Sequence, residues 1–85
     1  MIIKLKDEIN SALDFNQSAT ELFDKINQSS DMDFVLDFEG IVFISMSFAQ
    51  AYYASKKRSP KKVTEINLSD DVNPMMEMIE KQLMF

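Results

Sequence analysis

The sequence predicts a single α/β domain, residues 1–85, with a small, largely parallel or mixed sheet whose strands alternate with helices. Three observations predict it. Two runs of strand formers, "MIIKL" and "FVLDF", are separated by a stretch with helical periodicity. The order strand, helix, strand, helix, strand, helix then continues to the end of the chain, and strands joined through helices become parallel neighbours by right-handed crossovers. The length, 85 residues with 46% hydrophobic, suits one domain with a modest core.

The elements follow in order. "MIIKL" is apolar and β-branched and predicts a strand over residues 2–5. "KDEINSALD" has no decisive period and fits a loop, a hairpin arm or a helical turn. In "FNQSATELFDKINQSS" the residues Phe15, Ala19, Leu22, Phe23 and Ile26 share one helical face, with Glu21, Asp24 and Lys25 opposite. This spacing predicts a helix over 16–29, ended by Ser29, Ser30 and Asp31. "FVLDF" hardly alternates, so it reads as a central strand covered on both faces, with Val35, Leu36 and Phe38 buried. Asp37 ends that strand as a carboxylate placed to accept backbone N–H groups. Gly40, the only glycine, supplies a turn that needs positive φ or close backbone approach.

"SMSFAQAYYASKKR" predicts a second helix. Ser45 is its N-cap, Phe48, Ala51, Tyr52 and Ser55 face inward, and Lys56, Lys57 and Arg58 suit the negative end of its dipole. "SP" at 59–60 ends it. "VTEINL" alternates, with Thr64, Ile66 and Leu68 on one face, as in a strand nearer the sheet edge. The last helix begins at Asn73 as N-cap and Pro74 as first helical residue, and buries Met75, Met76, Ile79 and Leu83. Met78, Met84 and Phe85 exceed that stripe and suit either a frayed end or packing against a second copy or a partner.

Composition excludes several classes of function. Without cysteine there is no disulfide frame and no thiolate metal site, and without histidine the commonest general base and zinc ligand are missing. One glycine cannot build a phosphate-cradling loop. No metal, no cofactor and no catalytic residue are therefore expected. No apolar run approaches the ~18 residues of a membrane span, and the N-terminal residues turn acidic too early for a signal peptide, so a cytoplasmic protein without membrane contact is expected. The net charge of −5 argues against nucleic acid as the main partner, although "KKRSPKK", residues 56–62, gathers five of the nine basic residues.

With "VLDFEGIVFISMSFAQAYY" at its second strand and helix, the chain resembles the STAS fold of the anti-sigma-factor antagonists. It resembles still more the bacterial STAS-like domains of unknown function, whose run has the form LDF-x-G-[VI]-x-F-[IL], a small residue, then Phe-Ala and a helix. Leu36, Asp37, Phe38, Gly40, Ile41, Phe43, Ile44, Ser47, Phe48 and Ala49 match it. By this resemblance Ser47 falls where STAS regulators carry the serine that a partner kinase phosphorylates, and Ser45 falls at the aspartate before it. Met46 and Phe48 replace the flanking serine and glycine. The resemblance implies a non-catalytic protein–protein interaction module acting in bacterial signalling, with a GHKL-type ATPase or serine kinase as partner.

The candidate site is accordingly the start of the second helix. Ser47 is the candidate phosphoacceptor, and the candidate partner-binding residues are Ser45, the N-cap, with Met46, Gln50, Tyr53 and Lys57 on one helical stripe beside it. Asp37 and Gly40 are read as structural. Two other readings stay open: an unphosphorylated scaffold or homodimer, and a nucleotide- or nucleic-acid-binding protein using the basic segment 56–62.

Overall fold

The computed structural model describes residues 1–84. Its elements are β1 (Ile2–Lys4), α1 (Leu5–Glu8), β2 (Ala12–Leu13), α2 (Asn16–Gln28), β3 (Asp33–Asp37), β4 (Phe43–Ile44), α3 (Met46–Arg58), β5 (Lys62–Ile66) and α4 (Asn73–Leu83). β1, β3 and β5 form a parallel sheet in that order, with "FVLDF" at its centre as expected. β2 and β4 form a second parallel pair, with Ala12 opposite Phe43 and Leu13 opposite Ile44. The "KDEINSALD" stretch thus supplies one helical turn and one two-residue strand, both too short to show a period.

The strands follow one another across the sheet in chain order. Each crossover of one hand therefore lands on the same face. α3 packs between α2 and α4 and completes a layer of three helices. Phe34, Leu36 and Val63 point into that layer and are buried. The opposite face carries Ile2, Lys4, Asp33, Val35, Asp37, Lys62, Thr64 and Ile66, of which only Asp37, at the strand end, is buried. The expectation that the central strand is covered on both faces is corrected here: Val35 is half-buried, because nothing in the described residues crosses to its side. In β5 the inward residues are Val63 and Glu65, and the outward ones are Thr64 and Ile66.

α2 and α3 run parallel. At one end the Ser45 hydroxyl donates to the Asp14 carbonyl at 2.7 Å. At the other the Ser59 hydroxyl donates to Asn27 Oδ1 at 2.6 Å, and the Lys61 ammonium reaches the Ser29 and Asp31 carbonyls at 2.7 and 2.6 Å. The two N-termini therefore emerge side by side next to the β2/β4 pair. The core between helices and sheet centres on Tyr52, whose ring meets Phe23 edge-on at 5.3 Å and lies 6.3 Å from both Phe38 and Phe48.

α4 takes Pro74 in its first turn and buries Met76 and Ile79, with Met75 and Leu83 half-buried, much as its stripe predicts. Met78 and Met84 are exposed, and Phe85 lies outside the described residues. Among the described residues no helix is long and apolar enough to cross a membrane.

Candidate functional site

The sheet's carboxyl-terminal end is held by Asp37. Its Oδ1 accepts the Glu39 backbone N–H at 2.9 Å and the Asn67 side-chain amide at 2.9 Å. Asn67 follows β5 with φ +59°, a left-handed conformation that asparagine tolerates better than most residues. Asn67 was not legible as a partner of Asp37. Its one signal is an asparagine directly after a strand-forming run. The Asn67 and Glu39 hydrogen bonds, with Lys4 opposite on β1, hold the Asp37 carboxyl below its ordinary value of 3.8.

Gly40 makes the turn at φ +81°. An added Cβ would stand 2.8 Å from Lys6 Cδ, but that atom belongs to a flexible stem and moves cheaply. The positive φ is thus the reason for glycine. Asp37 thus braces the strand end and Gly40 makes the turn.

The lowered pKa of Asp37 has a consequence for stability. A carboxyl whose folded value is depressed stabilises the fold when ionised, fully above its unfolded value and progressively less as pH falls through the folded one. Urea unfolding of the wild type and Asp37→Asn between pH 2.5 and 6 is expected to show a stability gap that closes below about pH 4. A gap independent of pH would mean that the charge on Asp37 contributes nothing.

From this turn the chain passes through Ile41 and Ile44, both buried, into α3. Ser45 has the extended backbone of an N-cap, and its Oγ accepts the Phe48 N–H at 3.0 Å. Ser47 is exposed in the first turn, its Oγ 3.2 Å from Ser45 Oγ. Neither α2 nor α3 has an acidic residue in its first turn, so the positive ends of both helix dipoles face outward uncompensated from within.

Met46, Gln50 and Lys57 are exposed, as the stripe beside Ser47 requires. Tyr53 is not. Its ring is 2% exposed, packed edge-on against Tyr52 at 5.0 Å, with the Lys56 ammonium 5.7 Å from its centre. Burial raises its hydroxyl pKa, and the charges of Glu65 and Glu80 add to the effect. The expectation of a Tyr53 docking anchor is corrected on this ground. α3 is the middle helix of three, so its buried arc is wider than one stripe and takes in Phe48, Ala49, Tyr52, Tyr53 and Ser55.

Apart from Met46, the exposed apolar surface near Ser47 comes from outside that stripe. Phe15 is 73% exposed, Val42 62%, Met46 50% and Phe43 49%. These residues lie on or next to the β2/β4 pair and the two helix starts. Phe15, expected on the buried face of its helix, is instead that helix's N-cap. Its extended backbone, φ −104° and ψ 131°, takes the side chain off the helical stripe. Scattered surface apolarity is common in soluble proteins, but four large residues on neighbouring segments form a rim around the serine corner.

The basic segment is partly committed to the fold. Lys56 pairs with Glu65 at 2.7 Å, and Lys61 caps the end of α2. Lys57, Arg58 and Lys62 remain exposed. No group of three or more acidic side chains that could hold a metal occurs among the described residues. Searches of protein-family models, curated proteins and solved structures found no match to this chain.

Proposed function

We propose that the domain is a non-catalytic protein–protein interaction module of the STAS and anti-sigma-factor-antagonist type, which regulates or scaffolds a GHKL-type ATPase or serine kinase. Ser47 is its switch. The observation that carries this reading is an exposed serine in the first turn of α3, with exposed Phe15, Val42, Phe43 and Met46 on the segments that adjoin it. Methionine and aromatic residues are enriched at the centres of interfaces. A phosphate on Ser47 adds a charge of about −1.5 to −2. Helix N-termini accept such a charge without unfolding, so modification changes the surface and leaves the fold. The matching run at Leu36–Ala49 supplies the partner class.

The test has two parts. Incubation with ATP and a candidate GHKL-type serine kinase should add one phosphate, and Ser47→Ala should abolish the gain. Calorimetric binding to the same kinase should weaken at least tenfold in Met46→Asp and Phe43→Asp, the ~1.4 kcal/mol or more that an interface anchor supplies. Gln28→Ala, exposed at the far end of α2, should bind like wild type. Binding unchanged in both rim variants, with no phosphate on Ser47, would refute the reading.

A further inference from the structure

The hydrogen bonds at the serine corner fix which hydroxyl gives its proton to which. A serine hydroxyl has one proton and two lone pairs. The Asp14 carbonyl can only accept, so the Ser45 proton goes to it, at 2.7 Å. One Ser45 lone pair takes the Phe48 N–H. In its 3.2 Å contact with Ser47, Ser45 must therefore be the acceptor and Ser47 the donor. Ser45 is then saturated: one proton out, two protons in. The Ser47 proton points inward, and its lone pairs face solvent.

We infer that Ser45 is a relay that transmits modification of Ser47 to the start of α2. The inference rests on the reading of Ser47 as a phosphorylated switch. Phosphorylation joins Ser47 Oγ to the terminal phosphorus of a nucleoside triphosphate, releases the diphosphate and sends the hydroxyl proton to the kinase's base. Ser47 then has no proton to give. A Ser45 lone pair is left facing an ester oxygen with no proton to give, beside the anionic phosphoryl oxygens, which is repulsive. The contact turns attractive when the Ser45 proton swings from Asp14 to the phosphate, because a hydrogen bond to an ionised acceptor is about twice as strong as one between neutral groups.

That swing costs the Asp14 carbonyl its partner. Asp14 precedes Phe15, the most exposed aromatic of the rim and the N-cap of α2, which has no side-chain cap of its own. The Ser45 N–H still holds the Leu13 carbonyl at 2.9 Å, so the β2/β4 pair stays closed while the segment beyond it loosens. The switch thus acts twice on the docking rim: once by charge at Ser47, and once by releasing Phe15.

The experiment needs no partner. Phosphoserine is placed at position 47 by codon suppression, and the Asp14 carbonyl carbon shift and the exchange of the Ser18 and Ser45 amides are read by NMR. In the otherwise wild-type chain, phosphoserine should move the Asp14 carbonyl upfield, speed exchange of the Ser18 amide, which donates to the Phe15 carbonyl, about fivefold, the factor one net hydrogen bond supplies, and leave the Ser45 amide unchanged. Ser45→Asp keeps an N-cap acceptor but has no proton to donate, and Ser45→Gly costs little as a cap. In both, the Asp14 carbonyl should already sit at the upfield position and phosphoserine should not move it further. An Asp14 carbonyl that does not respond in the wild-type background, or that responds equally in all three, overturns the relay. These readings are independent of kinase binding, so the relay and the partner assignment can fail separately.

Discussion

Tyr52→Ala is expected to remove about 3–5 kcal/mol of stability, the usual range for truncating a large buried aromatic residue. Few side chains in this domain are so placed. The Tyr52 ring is fully buried and meets aromatic rings from α2, from the end of β3 and from its own helix. It therefore ties together the helix layer and the sheet. A chain of this length carries roughly 4–13 kcal/mol in total, so the variant should be marginal at 25 °C. Tyr52→Phe separates ring from hydroxyl. It keeps the packing and loses only the bond to Glu65, whose carboxylate retains Lys56, so a cost of about 1–2 kcal/mol is expected. Urea unfolding of the three proteins measures both. A phenylalanine variant as unstable as the alanine one would show that the hydroxyl, not the ring, is the centre of the core. Alkaline pH adds a further check. Burial and then Glu65 raise the Tyr52 hydroxyl pKa well above its ordinary value of 10.0. A raised folded value stabilises fully below the unfolded one and fades as pH climbs above it. The gap between wild type and Tyr52→Phe should therefore narrow only beyond about pH 10.

Much of this arrangement was legible in the residues, because periodicity reports which side of an element is buried. The runs at 16–28 and 73–83 each face the core with one stripe, and both helices lie where their stripes predict. The Ser45 cap and the Gly40 turn were legible for a different reason: each is a local demand of the backbone, met by a residue type suited to it.

What was not legible depends on neighbours. Tyr53 lies off the first stripe of its helix and its spacing predicts exposure, but a helix flanked on both sides buries a broader arc. The open face of the sheet follows from the order of the strands, which no single strand encodes. Phe15 shows the limit at a helix end: one residue before the first turn, helical spacing no longer governs where a side chain points. The rim around Ser47 needs β2 beside β4, and two strands of two residues each leave no pattern to read.

The Glu65 carboxylate carries the other large expectation. Glu65 is the one charged residue that β5 turns toward the helices. Its Oε2 accepts both the Tyr52 hydroxyl and the Lys56 ammonium, and the two charged side chains are only 12% and 17% exposed. Glu65→Ala strips both donors of their acceptor at once. A buried pair broken on one side costs about 3–5 kcal/mol. Lys56 sits in the last turn of α3 with a long stem, so it can turn its ammonium to water, and about 2–4 kcal/mol is expected here. The pair itself is worth much less than its breaking, because desolvation offsets the attraction. Lys56→Met combined with Glu65→Leu should therefore return to within about 1 kcal/mol of wild type. The double-mutant cycle built from these variants, followed by urea unfolding, is expected to give a coupling energy above about 1 kcal/mol, little reduced by added salt. Additive single costs would mean that Glu65 and Lys56 act independently. A charge on that face specifies register: a one-residue slip of β5 would turn Glu65 to solvent and leave Tyr52 and Lys56 without an acceptor. A double variant that matches wild type in stability but broadens the amide resonances of Val63 and Glu65 would locate the role of the pair in strand register rather than in stability.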